Sequence, residues 1–244
     1  MTSIRYAGNR EQHWLIKTTL ILAGWMIVAG CASKPVAPPK PIYQSGLNQV
    51  SVVEDPDSTA NTHPATLSPT EIGTLLRGVR TWERRNVVHR LFVGQADKTR
   101  AFRDEEIFIL APALSKALAQ ASPSERIHFH LSHATEHGEE ETTTGWLSLR
   151  DPILFLSLSA VHDRHSPGPD ISKYDRQMPN VPEVPAEFDV NFEPEEYLVR
   201  VSSGGRWFAP DQREDLEIRY REALSSMPVQ PGLDRGREIP TPKP

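Results

Sequence analysis

Between Ile127 and Val161 the chain alternates apolar and polar residues in three successive runs. Ile127, Phe129 and Leu131 alternate with His128, His130 and Ser132. Leu147 and Leu149 repeat the pattern within 143–150, and Leu154, Leu156 and Leu158 carry it through 153–161. A period of two sends alternate side chains to opposite faces of a strand, so each run predicts a strand buried on one side. Asp151-Pro152 marks a turn between the second and third runs. Short connections of this kind predict a three-strand antiparallel meander with one leucine face in need of cover.

Amphipathic helices supply that cover. Ser68-Pro69-Thr70-Glu71 places a serine three residues before a glutamate and a proline at the first helical position, the pattern of a capping box. Ile72, Leu75, Leu76 and Val79 then recur at helical spacing. Asp104-Glu105-Glu106 opens a second helix with Ile107, Leu110, Ala111, Leu114, Leu118 and Ala121 on one stripe, and Pro112 predicts a kink or two abutting helices. Asp211 to Leu224 predicts a third helix, with Asp211 and Glu214 as its capping box and Leu216, Tyr220, Ala223 and Leu224 buried. Val87–Val93 and Tyr197–Ser202 are further strand candidates. The expected fold class is therefore α+β: a small antiparallel sheet, the meander plus one or two strands, packed against two or three helices.

Proline divides the rest of the chain. Residues 31–66 hold Pro35, Pro38, Pro39, Pro41, Pro56 and Pro64 and read as an extended tether, interrupted only by Val50 to Val53. Residues 67–226 form a single domain, within which 163–194 is a proline-rich irregular excursion, and 227–244 is a proline-rich tail expected to be disordered. No period of 20 to 50 residues repeats, which argues against solenoids and propellers.

The amino terminus carries an address. Thr18 to Gly30 is apolar and uncharged, is preceded by Arg5, Arg10 and Lys17, and is too short for the roughly 20 residues that a spanning helix needs. It ends in Val28-Ala29-Gly30-Cys31, and Cys31 is the only cysteine in the chain. These residues resemble the lipobox of bacterial lipoproteins. The resemblance covers residues 1–31 alone. It implies a signal peptide over 1–30, cleavage between Gly30 and Cys31, a diacylglyceryl group on the Cys31 sulfur and an acyl chain such as palmitate on its amine. Ala32, where an aspartate favours retention at the inner membrane, implies an outer-membrane lipoprotein facing the periplasm or the cell surface. Two or more acyl chains hold a protein stably on a membrane where one does so only marginally.

Composition agrees with an envelope compartment. The chain carries a net charge of −5, and the removed segment holds three basic residues and Glu11, a net +2, so the mature protein stands at −7. An acidic surface argues against nucleic acid as a partner. With Cys31 acylated no thiol remains, and no disulfide framework is possible.

Two constellations are candidates for function. His133, His137, His162 and His165 all fall at one end of the meander, near Glu139-Glu140-Glu141, and imidazoles beside carboxylates suit zinc, copper or nickel. No HExxH or Cys/His zinc pattern is present. Trp146, Ile153 and Phe155 lie opposite the leucine face and, with Trp207, form a candidate interaction patch. Nucleophilic and phosphate-binding signatures are absent: there is no Gly-x-Ser-x-Gly elbow, and Gly204-Gly205 precedes no helix at the required spacing. The expectation is a non-enzymatic envelope component, without a cofactor, that binds another envelope protein. The alternative is a periplasmic metal-binding protein that uses the histidine end of the sheet.

Overall fold

The computed structural model describes residues 38–58, 60–84, 97–166, 188–199 and 215–228. Strands β1 (Lys40–Ser45), β2 (Asn48–Glu54), β5 (Glu125–Ala134), β6 (Glu140–Arg150), β7 (Ile153–His165) and β9 (Asp215–Arg219) form a six-stranded antiparallel sheet in the order β1-β2-β5-β6-β7-β9. A second sheet of three strands, β4-β3-β8, contains β3 (Val79–Glu83), β4 (Thr99–Arg100) and β8 (Phe188–Phe192). Helices α1 (Pro69–Gly78), α2 (Asp104–Gln120) and α3 (Tyr220–Ser226) complete the α+β fold, and none of the described helices is long and apolar enough to cross a membrane.

The meander is β5, β6 and β7, and the expected leucine face is its core face. Ile127 pairs with Leu147, Leu147 with Leu156 and Leu149 with Leu154, so each rung puts two apolar side chains on one side. All five are buried in one cluster with Ile72, Leu75 and Leu76 of α1 and Ile107, Leu110, Leu114 and Leu118 of α2. Gly145 on β6 sits where a Cβ would collide with the Ser157 carbonyl of β7 and come within 2.9 Å of the Phe129 ring. It lies at a register shift of the β6–β7 pair. Only a glycine lets the strands close at that point.

The first two expected helix starts are built as the sequence indicates. Ser68 Oγ accepts from the Glu71 amide at 3.2 Å, and Glu71 Oε2 accepts from the Ser68 amide at 2.7 Å. Pro112 neither splits α2 nor ends it, since the helix is one element of 17 residues. An interior proline costs about 3 kcal/mol. Full burial of Ile107, Leu110, Leu114 and Leu118 contributes about 1.5–3 kcal/mol for each residue. Packing therefore outweighs the lost backbone bond.

Three sequence expectations need correction. The stretch 31–66 is not a tether throughout, because residues 40–54 are strands β1 and β2 of the main sheet. Val50 pairs with Phe129 and Val52 with Ile127, and both valines are fully buried. The prolines flank this hairpin, apart from Pro41, which sits on edge strand β1 beside a bulge where its missing N–H is tolerated. Residues 55–58 and 60–67 are also bound to the fold. The Asp55 amide donates to the Ser124 carbonyl at 2.9 Å, the Thr62 amide to Leu149 at 2.7 Å and the Ala65 amide to Leu118 at 2.9 Å.

The second correction concerns Asp211 to Leu224. Residues 215–219 are strand β9, and α3 begins only at Tyr220. Leu216 and Ile218 pair with Leu156 and Leu154, which closes the open edge of β7. Residues 211–214, with the expected capping box, lie outside the described residues.

Third, the excursion 163–194 is not irregular at its ends: β7 runs on to His165, and β8 pairs with β3 through Phe192↔Val79 and Val190↔Thr81. Of the expected strand Tyr197–Ser202, the described residues 197–199 contribute a bridge from Leu198 to Ile218 and a hydrogen bond from the Val199 amide to the Glu217 carbonyl, Tyr197 ends a 3-10 turn, and residues 200–202 lie outside the described residues. Val87–Val93 and residues 229–244 of the expected tail lie outside the described residues, as do residues 1–37 with Gly30 and Cys31.

Candidate functional site

The sheet face opposite the helices carries the candidate patch. Rungs there read His128↔Trp146↔Ser157↔Asp215 and Ser148↔Phe155↔Glu217, because antiparallel partners share a face. Trp146, Ile153 and Phe155 are half-buried on strands β6 and β7. Two arginines lie over the aromatic rings. The Arg126 guanidinium is 5.1 Å from the Trp146 ring centre, and that of Arg150 is 4.4 Å from Phe155, both within cation–π range. His128 also packs against Trp146, with ring centres 5.5 Å apart.

Trp146, Phe155 and the two arginines line an open groove of about 360 Å³ along β6 and β7. Its β2–β5 wall is ion-paired. Arg126 reaches Asp57 at 3.6 Å, and Arg150 reaches Asp55 at 3.8 Å while its Nε donates to Asn61 Oδ1 at 3.1 Å. The β9 wall is formed by Asp215 and Glu217. The structure thus brings Trp146, Ile153 and Phe155 to one face, while Trp207 lies outside the described residues. Sequence reasoning found the rings and missed the four carboxylates and two arginines around them. The available signal was the Asp215, Glu217, Arg219 alternation against Leu216 and Ile218, which is strand-like.

The histidine end is assembled differently. His133, His162 and His165 do share one end of the sheet, but each meets a different protein group. His133 Nε2 is 3.4 Å from Glu141 Oε1 and 3.3 Å from Arg103 Nη1. His162 Nε2 lies 3.0 Å from Glu106 Oε2. His165 donates from Nδ1 to the Ser166 carbonyl at 3.1 Å, which leaves Nε2 to accept from the Thr142 hydroxyl at 2.7 Å. His137 is exposed in the turn between β5 and β6. Among the described residues no three His, Cys, Asp or Glu side chains come together as a group that could hold a metal ion.

What this end does build is a clamp on two buried carboxylates. Glu106, which by sequence is one of several acids in a solvated helix start, is instead buried on α2. It accepts from the Arg103 amide at 2.7 Å, from His162 and from the Thr143 hydroxyl at 3.4 Å. His162 has a φ of +50°, a left-handed conformation held by its amide donating to Thr143 Oγ1 at 3.1 Å. Burial pushes the Glu106 carboxyl up, but the His162 and Arg103 hydrogen bonds outweigh it and hold the group below the usual carboxylate range. Glu141 is treated likewise: burial raises it, and Arg103 at 2.5 Å with Arg164 at 3.2 Å brings it below its ordinary value. The Thr143 hydroxyl donates to the Glu106 carboxylate, so the cluster ties α2 to β6 and β7.

Three further histidines are shifted by burial. His130, 1 % exposed on β5, is pushed down to about 4 by burial and by the neighbouring His128 and His165. Burial also lowers His128, with Arg126 adding to the effect, and lowers His63, whose Nε2 accepts from the Leu149 amide at 3.1 Å. No protein-family model matches the chain, and neither a curated protein nor a solved structure matches it.

Proposed function

We propose that the chain is a lipid-anchored envelope protein that binds another envelope component through the open face of its six-stranded sheet, without catalysing a reaction. The observation that carries the binding role is the groove itself: half-buried Trp146 and Phe155 at the centre of a sheet face, beside Asp215 and Glu217. Aromatic residues and arginine are the side chains most enriched at protein interfaces. The membrane role rests on Val28-Ala29-Gly30-Cys31, and Ala32 supports the outer membrane as destination.

A photo-crosslinking residue placed at Phe155 in intact cells tests the binding role. Phe108, 49 % exposed on α2, serves as the control site. Position 155 is expected to give a discrete crosslinked species that position 108 does not. No such species, or the same species from both positions, refutes the reading. Independently, Cys31→Ser is expected to move the protein out of the membrane fraction.

A further inference from the structure

We infer that the groove takes a cationic, extended segment of a partner protein, with basic side chains seated against Asp215 and Glu217. This rests on the reading of the open sheet face as a binding surface. The charge layout selects the sign of the occupant. Arg126 and Arg150 already have Asp57 and Asp55 as counter-ions and aromatic rings beneath them, so an incoming anion would compete with carboxylates in place. Asp215 and Glu217 have no cation partner among the described residues. The lining therefore holds two negative charges more than positive ones, both on the β9 wall.

The floor selects an extended shape. Trp146 pairs with Ser157, and Ser148 with Phe155, so each ring lies beside a small hydroxyl residue on the next strand. Rungs two residues apart on a strand are separated by about 6.5–7 Å, which is also the repeat of alternate side chains in an extended peptide. A segment lying along β6 and β7 places every second side chain over this staggered floor and its basic groups toward β9. A basic side chain there gains carboxylate partners without giving up any existing pair.

The test uses the full chain and two fluorescent decapeptides, one alternating arginine with valine and the other alternating glutamate with valine, read by anisotropy. The arginine peptide is expected to bind and the glutamate peptide not to. Asp215→Asn with Glu217→Gln is expected to weaken the arginine peptide about tenfold or more. Glu136→Gln with Glu139→Gln, which removes the same charge from the exposed β5–β6 turn, is expected to leave it unchanged. Equal weakening by both pairs reduces the effect to overall acidity and overturns the proposal, as does an absence of binding. Displacement of the arginine peptide by a synthetic peptide of residues 200–214 assigns the groove to the chain itself, and self-association lost with Phe155→Ala assigns it to a second copy. Either also overturns the proposal. A discrete crosslink from Phe155 without arginine-peptide binding defeats this inference alone, whereas failure of the crosslink defeats the open-face reading beneath it.

Discussion

His130 gives the domain a built-in sensitivity to acid. Its imidazole stays neutral in the folded protein down to about pH 4, whereas in the unfolded chain it takes a proton near pH 6.5. Between those values the unfolded state binds more protons, so stability present above pH 6.5 is lost as pH falls toward 4. One fully buried group with this displacement contributes on the order of 3 kcal/mol. His63 and His128 are lowered in the same direction. Glu106 and Glu141, held below the usual carboxylate range, extend the loss below the pH at which free carboxylates protonate. Urea midpoints between pH 7.5 and 4.5 (values flanking the histidine range) are expected to fall steadily, and His130→Gln to flatten the fall. Parallel curves for the two proteins contradict the assignment. Gly145 is a second single-residue determinant: Gly145→Ala is expected to cost about 1–3 kcal/mol by the same measurement, since the added methyl meets the β7 backbone, which cannot yield as a flexible side chain does.

At the scale of elements, the hairpin β1–β2 separates a tether from a structural part of the domain. Removing residues 38–54 strips Val50 and Val52 from the core and leaves the β5 edge without its partner. That deletion is expected to abolish the cooperative urea transition, and an unchanged midpoint contradicts the role of the hairpin. The meander was legible in the sequence because Ile127 to Leu158 alternates on strands buried on one side, where periodicity is strongest. Helices α1 and α2 were legible from caps and stripe. The hairpin was not, because its apolar residues Ile42, Tyr43, Leu47, Val50, Val52 and Val53 stand among prolines without one clear period, and its burial depends on β5, some 75 residues downstream. Strand β9 was hidden by two periods that coincide. Leu216, Tyr220 and Ala223 satisfy a helix while Leu216 and Ile218 satisfy a strand, and the unpaired edge of β7 decides in favour of the strand over 215–219. The candidate site divides in the same way. Trp146 and Phe155 were legible from alternation within the meander. Asp215 and Glu217 reach them only through the β7–β9 pairing, which no local pattern encodes.

For the whole molecule, the strand at Lys40 shortens the reach from a lipidated Cys31. Nine residues lead from Cys31 to Lys40, and even fully extended they span about 30 Å. The 31–66 reading allowed several times that distance. If Cys31 is lipidated as proposed, the domain is held near the lipid surface by its β1 side, and a partner that reaches the groove must approach the membrane. Energy transfer from a dye on Gln44 of β1 to acceptor-labelled lipids, with the acylated protein in vesicles, measures this confinement. Efficient transfer is expected, and it should fall when about twenty glycine and serine residues are inserted between Cys31 and Lys40, because such a linker adds reach as the square root of its length. Transfer that is weak in the native chain, or indifferent to the insertion, shows that the domain is not held by that segment. The insertion also bears on the partner. If the Phe155 crosslink survives it, the partner is not confined to the membrane surface. If the crosslink is lost while the urea midpoint is unchanged, the partner is confined to the membrane surface, and the short connection sets the height at which the groove is presented.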